Sequence, residues 1–199
     1  MYKDIPNLPR CGWVPPTDPL YTHYHDMEWG RPVWDDKALF RKLILDGQQA
    51  GLAWITILRK REEMIRAYDN FDPDKLIHYT DKDRERLLGN AGIIRSKLKI
   101  NATISNAQIF VKMRDEDNLN FSNYLWSFVD GKPIQNTWAD FKDAPVKSAE
   151  SEALSKDLKK RGFKFVGPVI VYAFMQAVGM VNDHSTDCHA YEPCRDAGL

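Results

Sequence analysis

The cysteines and their companion histidines constrain this chain more than any other feature, because they stand at its two ends. Cys11 and His25 fall near the start, and His184 and Cys188 near the finish, with Cys194 just beyond. His184 and Cys188 have the i,i+4 spacing that puts two side chains on one face of a helical turn. Two cysteines and two histidines are a normal donor set for a closed tetrahedral zinc site. If the four meet, one ion joins the N-terminal segment to the C-terminal one and leaves the middle of the chain for chemistry. A second reading stands beside this one: Cys11 and Cys188 are small buried hydrophobes, the histidines are satisfied polar groups, and His23, His189 and Cys194 are rival ligands. A closed four-ligand site is structural, so it does not by itself explain an activity.

The length of 199 residues suits one domain with a proper core. Lysine plus arginine and aspartate plus glutamate both number 28, so net charge announces no nucleic-acid partner, and one would need a local basic face. No stretch approaches the roughly 20 apolar residues of a membrane span. Met1 to Pro6 carries no hydrophobic signal region. An odd cysteine count without a secretion signal argues against a disulfide framework, and the cytoplasm is the expected compartment.

Apolar periodicity is helical almost throughout. Residues 1–34, rich in Pro, Gly and aromatics, read as irregular with short helical turns. Leu39, Phe40, Leu43 and Ile44 then form one stripe, with Asp35 or Asp36 as N-cap. Further helices are expected over 54–68, from Pro73, from Thr80, over 94–113 and 120–129, over 151–160, and over 168–180. Residues 131–147 read as an exposed connection. Hairpin turn chemistry is missing, so the predicted fold class is all-α.

Three constellations besides the cysteines and histidines suggest chemistry. Tyr21, Tyr24 and Trp29, with Trp54 later, are ordinary core filler or the walls of a pocket for a flat ligand such as a flipped base. Asp46-Gly47-Gln48-Gln49-Ala50-Gly51 interrupts an apolar helix, so its glycines need compensation from a close helix contact or a ligand. An acid beside two amides offers the acceptors and donors that reading a base edge requires. Lys159, Lys160, Arg161 and Lys164 surround the short Gly162–Gly167 turn, whose amides stand at the start of the Pro168 helix. Phosphate is a natural partner for that basic turn; otherwise its cations offset a helix dipole.

Taken in order, Cys11-Gly-Trp13, Asp18-Pro-Leu-Tyr21, Tyr24-His-Asp-Met-Glu-Trp29-Gly, Gly47-Gln-Gln-Ala-Gly-Leu-Ala-Trp54, Ala91-Gly-Ile-Ile-Arg95, Lys160-Arg-Gly-Phe-Lys-Phe-Val-Gly167 and Val181-Asn-Asp-His184 resemble the DNA-3-methyladenine glycosylase I family. The resemblance covers roughly residues 10–188 and leaves 1–9 and 189–199 as peripheral tails on a single catalytic domain. It implies a helix-hairpin-helix DNA glycosylase fold with its ends tied by structural Zn2+ on Cys11, His25, His184 and Cys188. It implies a base pocket of Tyr21, Tyr24, Trp29 and Trp54, and a hairpin that grips DNA through Arg161, Gly162, Lys164 and Gly167. The implied activity is monofunctional: an enzyme expected to be monomeric flips 3-methyladenine out of alkylated double-stranded DNA and hydrolyses its N-glycosidic bond.

One position departs from the family pattern. A glutamate that contacts the methylated base is replaced here by Asp46, one methylene shorter, so a contracted pocket, a bridging water or an altered base preference is expected. Asp183 lies near the place where many glycosylases of the superfamily carry an aspartate, but it directly precedes His184, and a supporting or helix-capping role is at least as well founded. Glu28 is a further carboxylate, with a surface or aromatic-orienting role as its simpler reading. Two rivals remain at this point: a zinc-stapled DNA-binding module without catalysis, and a metal-dependent hydrolase, which would need an open coordination position.

Overall fold

The computed structural model describes residues 7–197; residues 1–6 and 198–199, parts of the two expected tails, lie outside the described residues. The described residues form ten α-helices: α1 Pro19–Met27, α2 Asp36–Gln49, α3 Trp54–Ala67, α4 Pro73–Leu76, α5 Asp81–Gly89, α6 Lys97–Asp115, α7 Phe121–Trp126, α8 Ala149–Arg161, α9 Pro168–Ala177 and α10 Tyr191–Asp196. Asp35 starts α2 by accepting from the Ala38 amide at 2.8 Å. The stripe Leu39, Phe40, Leu43 and Ile44 is buried as its period requires. Most of the other helix starts fall within three residues of expectation. Helix α6 begins later than its apolar pattern suggests, because the Ser96 side chain caps it and residues 94–96 are not helical.

The all-α expectation needs one correction. Ile134–Gln135 and Val181–Asn182 pair as a minimal parallel ladder, β1 and β2. Two residues per strand are too few to show a period-two pattern. The segment expected to be a C-terminal tail also carries structure: Tyr191 and Cys194 of α10 are buried, and the Asn182 side chain donates to the Tyr191 carbonyl.

Two apolar clusters divide the interior. The larger lies among α2, α3, α6, α7, α8 and α9, with Phe40, Phe110, Phe121, Trp126 and Phe174 at its centre. The smaller gathers Cys11, Tyr24, Trp29, Leu58, Ala177, Cys188 and Ala190, with Trp13, Tyr21, Trp54 and Phe141 packed against it. Helix α2 runs between them, so its last turn meets the aromatic cluster. Helices α8 and α9 are joined by the predicted hairpin, where Gly162 closes α8 in the left-handed region at φ 103°. Phe163 and Val166 anchor the turn in the larger core.

Candidate active site and metal centre

Asp46 follows Leu39 and Leu43 on the buried stripe of α2 at helical spacing, which carries a carboxylate indoors. Only 3% of Asp46 is exposed. Its Oδ1 accepts from Lys42 Nζ at 2.5 Å, one helical turn back. Its Oδ2 is buried and has no hydrogen-bond partner among the described residues. Burial pushes the Asp46 carboxyl above its usual range, against the pull of Lys42.

The acid opens on a cavity of about 180 Å³ lined by Trp13, Tyr21, Tyr24, Trp29, Trp54 and Phe141, with Gln49, Ala173 and Gln176. All four aromatics expected to bind a base therefore surround the same space as Asp46. Trp13 makes edge contacts with two of them, its ring centroid 5.9 Å from that of Tyr21 and 5.1 Å from that of Trp29. Tyr24 and Trp54 meet at 5.3 Å. The Trp54 indole nitrogen, like Asp46 Oδ2, is buried without a partner. A flat ring with a donating edge matches both the walls and the bare acceptor.

Cys11, His25, His184 and Cys188 converge behind Trp29. All four are buried, and their ligand atoms lie within 4.8 Å of one another. Cys188 Sγ is 3.5 Å from His25 Nε2 and 3.5 Å from His184 Nδ1, and Cys11 Sγ is 3.5 Å from His184 Nδ1. Bonds of about 2.0–2.3 Å on a tetrahedron set neighbouring ligands about 3.5 Å apart, so the cluster fits a four-coordinate metal. The outward ring nitrogens are also engaged: His25 Nδ1 with Asp26 Oδ1 at 2.8 Å, and His184 Nε2 with the Trp29 carbonyl at 3.2 Å. Such contacts fix which nitrogen faces a metal. The two thiols share one negative charge: their mutual hydrogen bond and burial push Cys11 far up, while the same bond holds Cys188 low. A divalent cation would let both ionise. Two of the rival ligands lie beside this set without joining it: His189 Nε2 is bonded to Asp26 Oδ1 at 2.9 Å in a second group that shares His25, and Cys194 is buried near His184.

The hairpin is held from α6. Asn106 clamps Lys164 in both directions, accepting from its amide at 2.8 Å and donating to its carbonyl at 3.1 Å. Ser155 Oγ donates to the Val166 carbonyl at 2.6 Å. Lys164 is exposed, whereas the Arg161 guanidinium is turned back onto Asp157 at 2.8 Å and lies 4.8 Å over the Tyr124 ring. No side chain caps α9 after Gly167. Gly47 has a close neighbour, but it is the hairpin rather than a helix: a Cβ there would stand 3.2 Å from Phe165 Cβ. Glu28 forms a two-pronged pair with Arg61 at 2.7 and 3.0 Å and does not line the aromatic cavity.

The methyladenine glycosylase family model matches residues 13–191 of this chain. The chain belongs to the methyladenine glycosylase family. It is 48% identical to the DNA-3-methyladenine glycosylase 1 of Escherichia coli over 92% of this chain and 97% of that one. It is 46% identical to the DNA-3-methyladenine glycosylase of Haemophilus influenzae over 94% and 97%. Among solved structures, 3-methyladenine DNA glycosylase I of Staphylococcus aureus, determined for its recognition of 3-methyladenine, superimposes with a TM-score of 0.85 at 40% identity, covering 88% of this chain and 93% of that one.

Several residues around this cavity escaped sequence reasoning. Trp13 stands in a quoted motif beside Cys11, and that adjacency was the available signal. Phe141 lies in a connection without periodicity and carried none. Lys99 gave no sign of its role in the sequence: its Nζ donates to the carbonyls of Gln48 and Ala50 at 2.7 and 2.8 Å, closing the end of α2 beside the cavity. Leu52 and Val169, both large and exposed, lie together along a cleft that Asp46 and Gln49 also line.

Proposed function

We propose that this chain excises 3-methyladenine from alkylated double-stranded DNA by hydrolysis of the N-glycosidic bond. The observation that carries the reading is Asp46 Oδ2, a buried acceptor without a partner on the wall of an aromatic cavity. The adenine amino edge donates to it, a charged hydrogen bond worth roughly 1.5–3 kcal/mol. Tyr21, Tyr24, Trp29 and Trp54 enclose the extruded ring, and an aromatic face favours its positive charge by about 0.5–2 kcal/mol. Methylation at N3 already makes the base a good leaving group, so little acid catalysis is needed. Among the described residues no lysine lines the cavity, which favours attack by water over an amine and hence a monofunctional glycosylase.

Residues 1–199 act as a single catalytic domain. The hairpin of Gly162, Lys164 and Gly167, with Arg161 at its base, holds the DNA backbone and fixes register. Leu52 and Val169 offer an apolar edge of the kind that fills the gap left by an extruded base. Cys11, His25, His184 and Cys188 hold structural Zn2+, which would supply cohesion between the chain ends. Four protein donors leave no position for substrate, so the chemistry belongs to the cavity. The enzyme works as a monomer in the cytoplasm, where its DNA substrate lies; none of its described helices is long and apolar enough to cross a membrane.

Incubation with methylated duplex DNA, followed by chromatography of released bases, tests the reading. Free 3-methyladenine is expected, and its retention in the DNA overturns the proposal. Parallel measurement of other alkylated bases shows whether the shorter Asp46 changes preference.

A further inference from the structure

Lys42 is not explained by the fold. A lysine one turn before Asp46 on a largely buried stripe costs desolvation, and only 17% of its side chain is exposed. Its Nζ stands 2.5 Å from Asp46 Oδ1, 4.3 Å from the Trp54 ring centroid and 5.8 Å from that of Tyr24. It arrives from a second cavity, of about 440 Å³. Tyr24 and Trp54 line both cavities, Lys42 lines the larger one, and Asp46 lines the smaller. The ammonium thus reaches the acid without entering the space for the base.

We propose that Lys42 is a positioning residue of this active site: its ammonium takes Asp46 Oδ1, keeps the acid ionised indoors, and leaves Oδ2 turned to the base cavity. The inference rests on the reading of Asp46 as the base-reading acid. An aspartate has one methylene fewer than a glutamate with which to aim its carboxylate, and a partner on one oxygen orients the other. The alternative role, repulsion of cationic bases by Lys42, makes the opposite prediction for its removal.

The electrostatics agree with the geometry. Burial pushes the Asp46 carboxyl up and the Lys42 ammonium down, and each is held by the other. Glu28 at the end of α1 supports the ammonium and Arg61 of α3 opposes it, and these two also pair with each other. Tyr24 of α1 is a phenol that burial keeps neutral. Helix α9 offers neutral Ala173 and Gln176 to the same cavity. Without the Lys42 charge, burial acts on Asp46 unopposed and its carboxyl rises further. The ionised acid is then lost at a higher pH, so the acidic limb of activity moves up.

The test is kcat/KM for 3-methyladenine release from methylated duplex across pH, for wild type, Lys42→Met, Lys42→Arg, Asp46→Asn and Lys42→Met/Asp46→Asn. Lys42→Met is expected to move the acidic limb up by roughly one to three pH units, losing about tenfold for each unit below it. Lys42→Arg is expected to return the limb towards wild type. In the Asp46→Asn background, Lys42→Met is expected to cost little more, because it acts through the acid. A Lys42→Met protein with the wild-type profile, or with raised activity, overturns the proposal while Asp46→Asn remains defective. Should wild type itself release no 3-methyladenine, the parent reading fails instead. The Asp46 13Cγ resonance of the unaltered protein gives an answer independent of any variant's folding: an ionised carboxylate at neutral pH supports the proposal, and a protonated one overturns it.

Discussion

Two buried aspartates of this protein differ in what surrounds them. Asp183 is fully buried, and its carboxylate accepts from Asn136 Nδ2, Trp138 Nε1 and Tyr172 OH, each at 2.7 Å, and from Gln176 Nε2 at 2.8 Å. Asp46 has Lys42 on one oxygen and nothing on the other. Position in the chain suggested that either could serve catalysis. Their hydrogen bonds separate them, because a carboxylate saturated by protein donors has no acceptor left for a substrate. Asp183 is architecture. It ties α9 and the 131–147 connection together beside His184, and so brings Phe141 to the cavity wall. The same contrast divides the cysteine–histidine cluster, whose outer nitrogens are engaged, from the cavity, where Asp46 Oδ2 and the Trp54 indole nitrogen are bare.

The largest effect is expected from Asp183→Ala. It orphans four donors, two of them on the buried residues Tyr172 and Gln176, at about 1–3 kcal/mol for each that water cannot reach. Against a total stability of about 5–15 kcal/mol, the protein should be insoluble or melt more than about 10 °C lower by calorimetry. A stable variant that still releases base would erase the distinction between the two acids. Cys188→Ala comes next. Metal analysis of the wild type should find one zinc per chain and the variant should lose it. Melting is expected to fall by several degrees, with base release declining only as Trp29 loosens. Full metal content in Cys188→Ala would remove this residue from the ligand set.

Asp46→Asn sharpens the comparison from the other side. The amide oxygen still faces Lys42, so melting should move by only a few degrees, while a charged hydrogen bond to the base is lost. At roughly 1.5–3 kcal/mol the expected fall in kcat/KM is about 10- to 150-fold. Equal losses of stability in Asp46→Asn and Asp183→Ala would mean that both acids serve the fold. The sign of the pH dependence follows from burial, which raises the Asp46 carboxyl: activity should fall on acidification at a pH above the usual carboxylate range.

Much of this division was legible in the sequence because it rests on spacing. The stripe from Leu39 to Ile44 placed α2, Asp35 or Asp36 was its expected cap, and the i,i+4 pair His184 and Cys188 marked half of the cysteine–histidine cluster before any partner was known. The aromatics and Asp46 were visible as residue types, but their meeting around one cavity is a tertiary fact. Phe141 was illegible, because it reaches the cavity through a loop held by Asp183 and has no periodicity of its own. Lys42 was illegible for a different reason: a lysine in a helix reads as a solvated charge, and only the fold shows its ammonium turned inward on Asp46. Arg161 shows the reverse: its neighbours in sequence suggest phosphate, while in the fold Asp157, one turn back, takes its guanidinium.

That last case gives the smallest and most selective prediction. Arg161 and Lys164 carry the same charge three residues apart, yet the first is paired and stacked on Tyr124 while the second is exposed on a turn whose backbone Asn106 fixes. Counterion release depends on cations that reach phosphate, each contributing about 0.9 to the slope of log affinity against log salt. Lys164→Ala should therefore weaken duplex binding similarly for all sequences and reduce that slope by about one, with little change in melting. Arg161→Ala should leave the slope nearly unchanged and lower melting instead, because it removes packing on Tyr124 and takes the cation from Asp157, leaving that acid the Tyr124 hydroxyl at 2.8 Å. Fluorescence anisotropy across a salt series measures both. If Arg161→Ala carries the larger slope change, its guanidinium exchanges Asp157 for phosphate on binding, and the hairpin grips DNA through a residue that the free protein holds in reserve.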